Sequence, residues 1–203
     1  MPAKLREDWP VLTHYDQDHL ARVALPLGGI GTGTVSLGGR GNLQDWEIVN
    51  RPAKGFNGGQ ALFALYAQEE GGPAVTRVLE GILQPPYEGA FGATSAYHGL
   101  PRFRRCSFHV AYPLAQIILR DPQVPLQVRL EALNPLIPAD PEASGIPVVI
   151  LRYVLINKGK RPVHATVCGT IRNFIGADGS SPTDGPAGSR RGNVTAFREG
   201  LQV

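Results

Sequence analysis

From Val124 to Ala132 apolar and polar side chains alternate: Val124, Leu126, Val128, Leu130 and Ala132 fall on one side, Pro125, Gln127, Arg129 and Glu131 on the other. A period of two predicts a strand with one face on a core and the other in water. Pro147 to Asn157 is apolar almost throughout, with Arg152 as the exception. That pattern predicts a central strand buried between two layers. After the polar stretch Lys158 to Arg161, Val163, Ala165, Val167, Gly169 and Ile171 alternate with His164, Thr166, Cys168 and Thr170. The two segments and the turn between them predict a hairpin. Gln60 to Gln68 is short, nearly all apolar and flanked by glycine pairs, which favours a buried strand over a helix. Asp45 to Val49 predicts a further short strand, and Asp16 to Val23 a short helix.

Glycine and proline supply 25 and 18 of the 203 residues, with no collagen-like period. Antiparallel strands divided by glycine and proline turns, without alternating helices, predict an all-β fold: a two-sheet antiparallel β-sandwich. Pro26 to Gly41 is dense in glycine and suits tight turns and close backbone approach. On this reading residues 1–24 are a lead-in segment and 25–203 the sandwich. Within it, residues 176–193 have almost no apolar side chain and predict a mobile loop. The strand-like end at Leu201 to Val203 leads us to expect a sandwich left incomplete at its C-terminus.

Composition narrows the function. Charged residues make 18% of the chain, below the ~25% of typical soluble domains, which suits a surface covered by another domain. The formal net charge of +3 comes from scattered basic residues, so no stripe for nucleic acid is expected. Cys106 and Cys168 are too few for a zinc knuckle or a disulfide framework, and no metal site or cofactor is expected. The charged N-terminus lacks a signal-like apolar run, and no stretch reaches the ~18 apolar residues of a membrane helix, which together predict a soluble, cytoplasmic chain.

Motifs for common chemistries fail on particular residues. Gly28 to Gly33 has the spacing of a phosphate-binding loop, but Thr34 stands where a lysine is required. Gly29 and Gly31 likewise lack the third glycine of a dinucleotide site, so Gly28, Gly29, Gly31 and Gly33 are read as structural turns. Asp45 and Glu47 could pair as carboxylates for glycoside hydrolysis, with strand geometry setting them roughly 6.6 Å apart at the backbone. The competing reading is a solvated or salt-bridged strand face. Cys106 and His109 would point to opposite faces of a strand, which disfavours a thiol–imidazole dyad.

The run Leu25-Pro26-Leu27-Gly28-Gly29-Ile30-Gly31-Thr32-Gly33-Thr34, continuing through Gly38 to Glu47 and Asn50-Arg51-Pro52, resembles the opening of glycoside hydrolase family 116. Gly99-Leu100-Pro101-Arg102-Phe103, Tyr112-Pro113, and Asn134-Pro135-Leu136-Ile137-Pro138 with Ser144 and Pro147 carry the resemblance onward to about residue 178. This is the family of β-glucosidases and non-lysosomal glucosylceramidases. The resemblance implies an N-terminal β-sandwich packed on an (α/α)6 catalytic domain as its partner. It further implies a retaining mechanism whose glutamate nucleophile and aspartate acid/base lie in that helical domain, beyond Val203. Neither acid's motif occurs here, so this segment alone is expected to be inactive toward the carbohydrate substrate. Asp45, Trp46, Glu47, Arg51, Arg102 and Arg104 are the candidates for contact with substrate or with the helical domain. The alternative is a free-standing carbohydrate-binding or interaction module.

Overall fold

The computed structural model describes residues 12–48, 52–55, 61–85, 87, 95 and 97–171. The loop expected at 176–193 and the strand-like end at 201–203 lie outside them. The chain runs β1 (Thr13–Tyr15), a 3-10 turn (Gln17–His19), β2 (Ala24–Leu27), β3 (Thr34–Gly38), β4 (Leu43–Glu47), β5 (Leu62–Glu69), β6 (Ala74–Gly81) and β7 (Arg102–Phe103). It continues through β8 (Arg105–Ala111), β9 (Leu114–Arg120), β10 (Leu126–Leu133), a short helix α1 (Pro141–Ser144), β11 (Ile150–Asn157) and β12 (Val163–Thr170).

Two sheets form the sandwich: five strands in the order β1-β8-β9-β10-β11, and four in the order β12-β5-β6-β7. A smaller sheet, β2-β3-β4, stands beside them. Neighbours are antiparallel except for the parallel β6–β7 pair. The alternation read in β10 is realised, because Leu126, Val128, Leu130 and Ala132 are buried in the core. On its other face Arg129, Glu131 and Arg152 of β11 make a chain of ion pairs at 2.8 and 3.5 Å. One apolar cluster draws on all three sheets, with Leu27, Leu37, Leu65, Phe103, Phe108, Ile117 and Leu119 among its members. Each such side chain contributes about 1.5–3 kcal/mol relative to exposure.

The structure corrects three local expectations. β11 and β12 do not form a hairpin: β11 pairs with β10, whereas β12 crosses to the other sheet and pairs with β5 from Val163↔Glu69 to Thr170↔Leu62. The polar stretch between them reverses the chain through Asn157, whose side chain accepts from Gly159 and donates to the Arg161 carbonyl, both at 2.8 Å. Pro162 then hands its carbonyl to the Glu70 amide at 2.9 Å, which delivers the strand to β5. Such turn chemistry marks a reversal without choosing the receiving sheet. Second, β11 is the last strand of its sheet among the described residues, not a central one, and its Leu151, Tyr153 and Leu155 pack on the core from there. Third, the helix expected over 16–23 shrinks to the single turn capped by Asp16, since Leu20 is its only well-buried neighbour.

The three sheets meet around Glu80. Its carboxylate, almost fully buried, receives Arg102 Nε at 3.0 Å and Arg40 Nη1 at 3.3 Å. Arg40 belongs to the β3–β4 turn, Glu80 to β6 and Arg102 to β7, while Cys106 of β8 packs its Sγ 3.6 Å from the Gly39 carbonyl. A Cβ on Gly81 would stand 2.5 Å from that of Cys106, so glycine is what lets β6 and β8 approach here. Among the described residues no helix is long and apolar enough to cross a membrane.

Burial pushes the Cys106 thiol up to about 12, whereas Cys168 is exposed on β12. Since the thiolate is the reacting form, a disulfide-exchange reagent at neutral pH should titrate one thiol in the folded protein and two after denaturation. Rapid modification of Cys106 in the native state, located by peptide mapping, would contradict this packing.

Candidate functional site

Two of the segments that resemble family motifs, the Gly28–Gly33 turn and Tyr112-Pro113, are hydrogen-bonded to a third, the loop of residues 134–146, whereas Gly99-Leu100-Pro101-Arg102-Phe103 lies apart, around Glu80. Ser144 is the centre. Its hydroxyl, 1% exposed as a residue, accepts from the Ile137 amide at 2.9 Å and donates to the Ile137 carbonyl at 3.0 Å. Its own carbonyl takes the Ile30 amide of the glycine turn at 2.8 Å. α1 presents this serine because Asp140 caps the helix by accepting from the Ala143 amide at 2.9 Å, and Pro141 begins its first turn. Earlier in the same loop, Asn134 donates twice: its backbone amide reaches the Pro113 carbonyl at 3.0 Å and its side chain the Tyr112 hydroxyl at 2.8 Å.

Glycine is demanded at two points of this knot. A Cβ on Gly29 would lie 2.4 Å from the Ile146 carbonyl oxygen, and Gly33, at φ +89°, lies close against the Glu47 carbonyl. Gly28 and Gly31 also take positive φ, so all four motif glycines act in turns and close contacts. No phosphate-cradling helix follows them; β3 does.

Asp45 and Glu47 do not share a regular strand face. The pairing of β3 with β4 shifts between Ser36↔Gln44 and Thr34↔Glu47, and Asp45 within that bulge has φ 51°. The shift buries Asp45 at 1% exposure and turns Trp46 into the core, although Leu43, three residues earlier, is also in the core. Asp45 Oδ1 accepts from the Gly55 amide at 2.7 Å, and Glu47 accepts from the Ala53 amide at 3.2 Å and from Lys54 Nζ at 2.8 Å. Both carboxylates therefore fold the chain over residues 53–55 back onto β4. The Lys54 ammonium, with the Ala53 amide, holds the Glu47 carboxyl below the usual carboxylate range.

The remaining candidates separate. Arg102 is buried: besides Glu80, it donates to the carbonyls of Tyr97, Leu100 and His98 at 3.0, 3.1 and 3.4 Å, closing the Gly99-Leu100-Pro101 turn. Arg104 is exposed and lines a groove on the opposite side of the five-stranded sheet from the core. Arg51 lies outside the described residues. Sequence reasoning missed Ser144 as the clamp and Glu80 as the partner of Arg102. Ser144 had a signal in the Asp140-Pro141 capping pair, while the Glu80 contact spans 22 positions in sequence and left none.

Around the knot Ile30, Tyr112, Ile137 and Ile146 stand exposed, at 60, 54, 53 and 48%. The motif residues of this β-sandwich are spent on anchoring loops, and Asp45 and Glu47 on holding residues 53–55. The family model described as beta-glucosidase 2, glycosyl-hydrolase family 116, N-terminal domain, matches residues 24–199. The chain belongs to that family, as an N-terminal domain of glycoside hydrolases.

Ser144→Ala should cost about 1–3 kcal/mol in urea unfolding, because both Ile137 backbone groups lose their partner; an unchanged midpoint would show that the clamp is dispensable. For Glu47 the sign follows from its lowered pKa. Its contribution to the 53–55 fold is full above the ordinary carboxylate value and is lost as pH falls through the lower folded value. The Ala53 amide should therefore shift in an NMR titration below the usual range of a glutamate, and Glu47→Gln should abolish that shift. A midpoint at the ordinary value would refute the pairing.

Proposed function

We propose that this chain is the N-terminal supporting β-sandwich of a retaining β-glycosidase that hydrolyses β-glucosides, of the β-glucosidase or glucosylceramidase kind. The catalytic glutamate and aspartate then belong to a C-terminal helical domain of the parent chain, and the setting is cytoplasmic. The family match over residues 24–199 is the observation that carries the reading. Two features of the site support it. Asp45 is buried and tied to the Gly55 amide, while Glu47, partly exposed, is tied to the Ala53 amide and Lys54, so the two do not form the open pair of carboxylates that hydrolysis needs. The exposed isoleucines, in turn, are fixed on a rigid knot, as a docking surface for a second domain would be.

In this reading the helical domain covers Ile30, Ile137 and Ile146, with Glu47 and the adjoining loop at the rim of the contact. The Ser144 clamp sets the height of the glycine turn against the loop that carries Ile137. The sandwich then acts by positioning the catalytic domain.

Ile30→Asp with Ile137→Asp should lower hydrolysis of an aryl β-glucoside by the full-length parent about tenfold or more. The same changes in the isolated 203-residue chain should leave its melting temperature nearly unchanged, since both side chains are exposed there. The isolated chain should show no hydrolysis. A parent that keeps full activity would remove the docking surface, and hydrolysis by the chain alone would remove the supporting role.

A further inference from the structure

Along β8 and β9, Cys106, Phe108, Ile117 and Leu119 face the core, so Arg105, Ser107, His109, Ile118 and Arg120 line the other face. With His14 of β1 and Arg104, they frame an open groove of about 530 Å³. Arg105 and Arg120 stand directly opposite each other in the β8–β9 register. Among the described residues neither Arg104 nor Arg105 makes an ion pair. The acid at the groove's edge, Asp16, is engaged elsewhere, by the His19 ring and the Asp18 amide.

The frame of the groove is rigid. Gln17 accepts the Cys106 amide at 3.1 Å, which seats the segment after β1 on β8. The rings of His14 and His109 lie 4.6 Å apart, tilted by 34°, and Ser107 Oγ is 3.1 Å from His109 Nε2. Planar guanidinium groups match the oxygens of phosphate, and several on one face select a multiply charged group over a carboxylate. Pockets of about 300–1,000 Å³ hold small organic molecules, so a phosphate alone would occupy only part of this one. The rest of the lining is the Ser107 hydroxyl, the two imidazoles, the Gln17 amide and the Asp16 carboxylate, with Cys106 and the buried Ile118, which suits a polar body such as a sugar.

We propose that this groove binds a phosphate ester, its phosphate held by Arg104 and Arg105 and its polar body lying over Ser107 and the His14–His109 pair. The phosphate is presented either on a free sugar phosphate or on a phospholipid headgroup. The inference is independent of the docking of a catalytic domain.

The test is calorimetric titration of the chain at constant ionic strength with glucose 6-phosphate, with glucose as the uncharged control. Alongside it, the chain is sedimented with phosphatidylcholine vesicles containing or lacking phosphatidic acid. Arg105→Gln should weaken binding by about tenfold or more, and the pair Arg104→Gln and Arg105→Gln should abolish it. Ligand-free melting of both variants should match that of the unsubstituted chain, because these side chains are exposed. Saturable binding of glucose 6-phosphate and not glucose, lost in the double variant, assigns the groove to a free ester. Retention on phosphatidate vesicles alone, lost in the same variant, assigns it to a headgroup. Binding of neither ligand, or binding undiminished in the double variant, overturns the proposal.

Discussion

The buried carboxylate of Glu80 is the constraint on which the rest of this fold turns. A charge in a dry interior is tolerated only when paired and hydrogen-bonded, and removing one partner of such a group typically costs about 3–5 kcal/mol. Here the partners come from different places: Arg40 from the small sheet's turn, Arg102 from the strand that follows the Gly99-Leu100-Pro101 turn. Bringing both to one oxygen fixes where the small sheet stands on the sandwich. The Gly81 amide bonded to the Arg40 carbonyl at 2.8 Å and the close approach of Gly81 to Cys106 complete the junction. The negative field of Glu80 also reaches Tyr153 of β11, whose hydroxyl is pushed up first by burial and then by that charge.

Much of this architecture is legible in the sequence because period-two alternation directly encodes which side of a strand is dry. β10 is the clearest instance, whereas β5 is legible as a strand from its apolar run, which does not show that Leu65 and Ala67 turn inward while Tyr66 is exposed. Partner choice is another matter. β11 is apolar nearly throughout and β12 alternates, but nothing in either local pattern says that one pairs with β10 and the other with β5. That decision rests on contacts between distant positions, such as the cross-strand pairs from Val163↔Glu69 to Thr170↔Leu62. The candidate site shows the same division. The glycine motif and Arg102 are conspicuous as residues, but their roles depend on the Ile146 carbonyl and on Glu80, neither of which stands near them in the chain.

The resemblance to family 116 rests largely on residues that make backbone hydrogen bonds or yield space to backbone. Gly29, Asn134, Ser144 and Arg102 all act in this way. A motif of this sort specifies the relative placement of loops. Its chemical content lies in distances between carbonyls and amides, which is why its residues fit no pattern for a nucleophile, a phosphate cradle or an acid pair.

The bulge in β4 carries a last implication, for how this gene can vary in length. One additional residue opposite β3 lets both Leu43 and Trp46 reach the core and leaves Asp45 in a left-handed backbone that seldom accepts a side chain. The additional residue thus works as a phase shift: the residues before it and those after it are read in different frames by the same partner strand. Loss of the Asp45 codon would return the two strands to a single frame, with Gln44 opposite Ser36, Glu47 opposite Thr34 and the indole two positions from Leu43 on the dry side. What that deletion would remove is the carboxylate that holds the Gly55 amide, so the extra codon serves the loop it ties down and not the core.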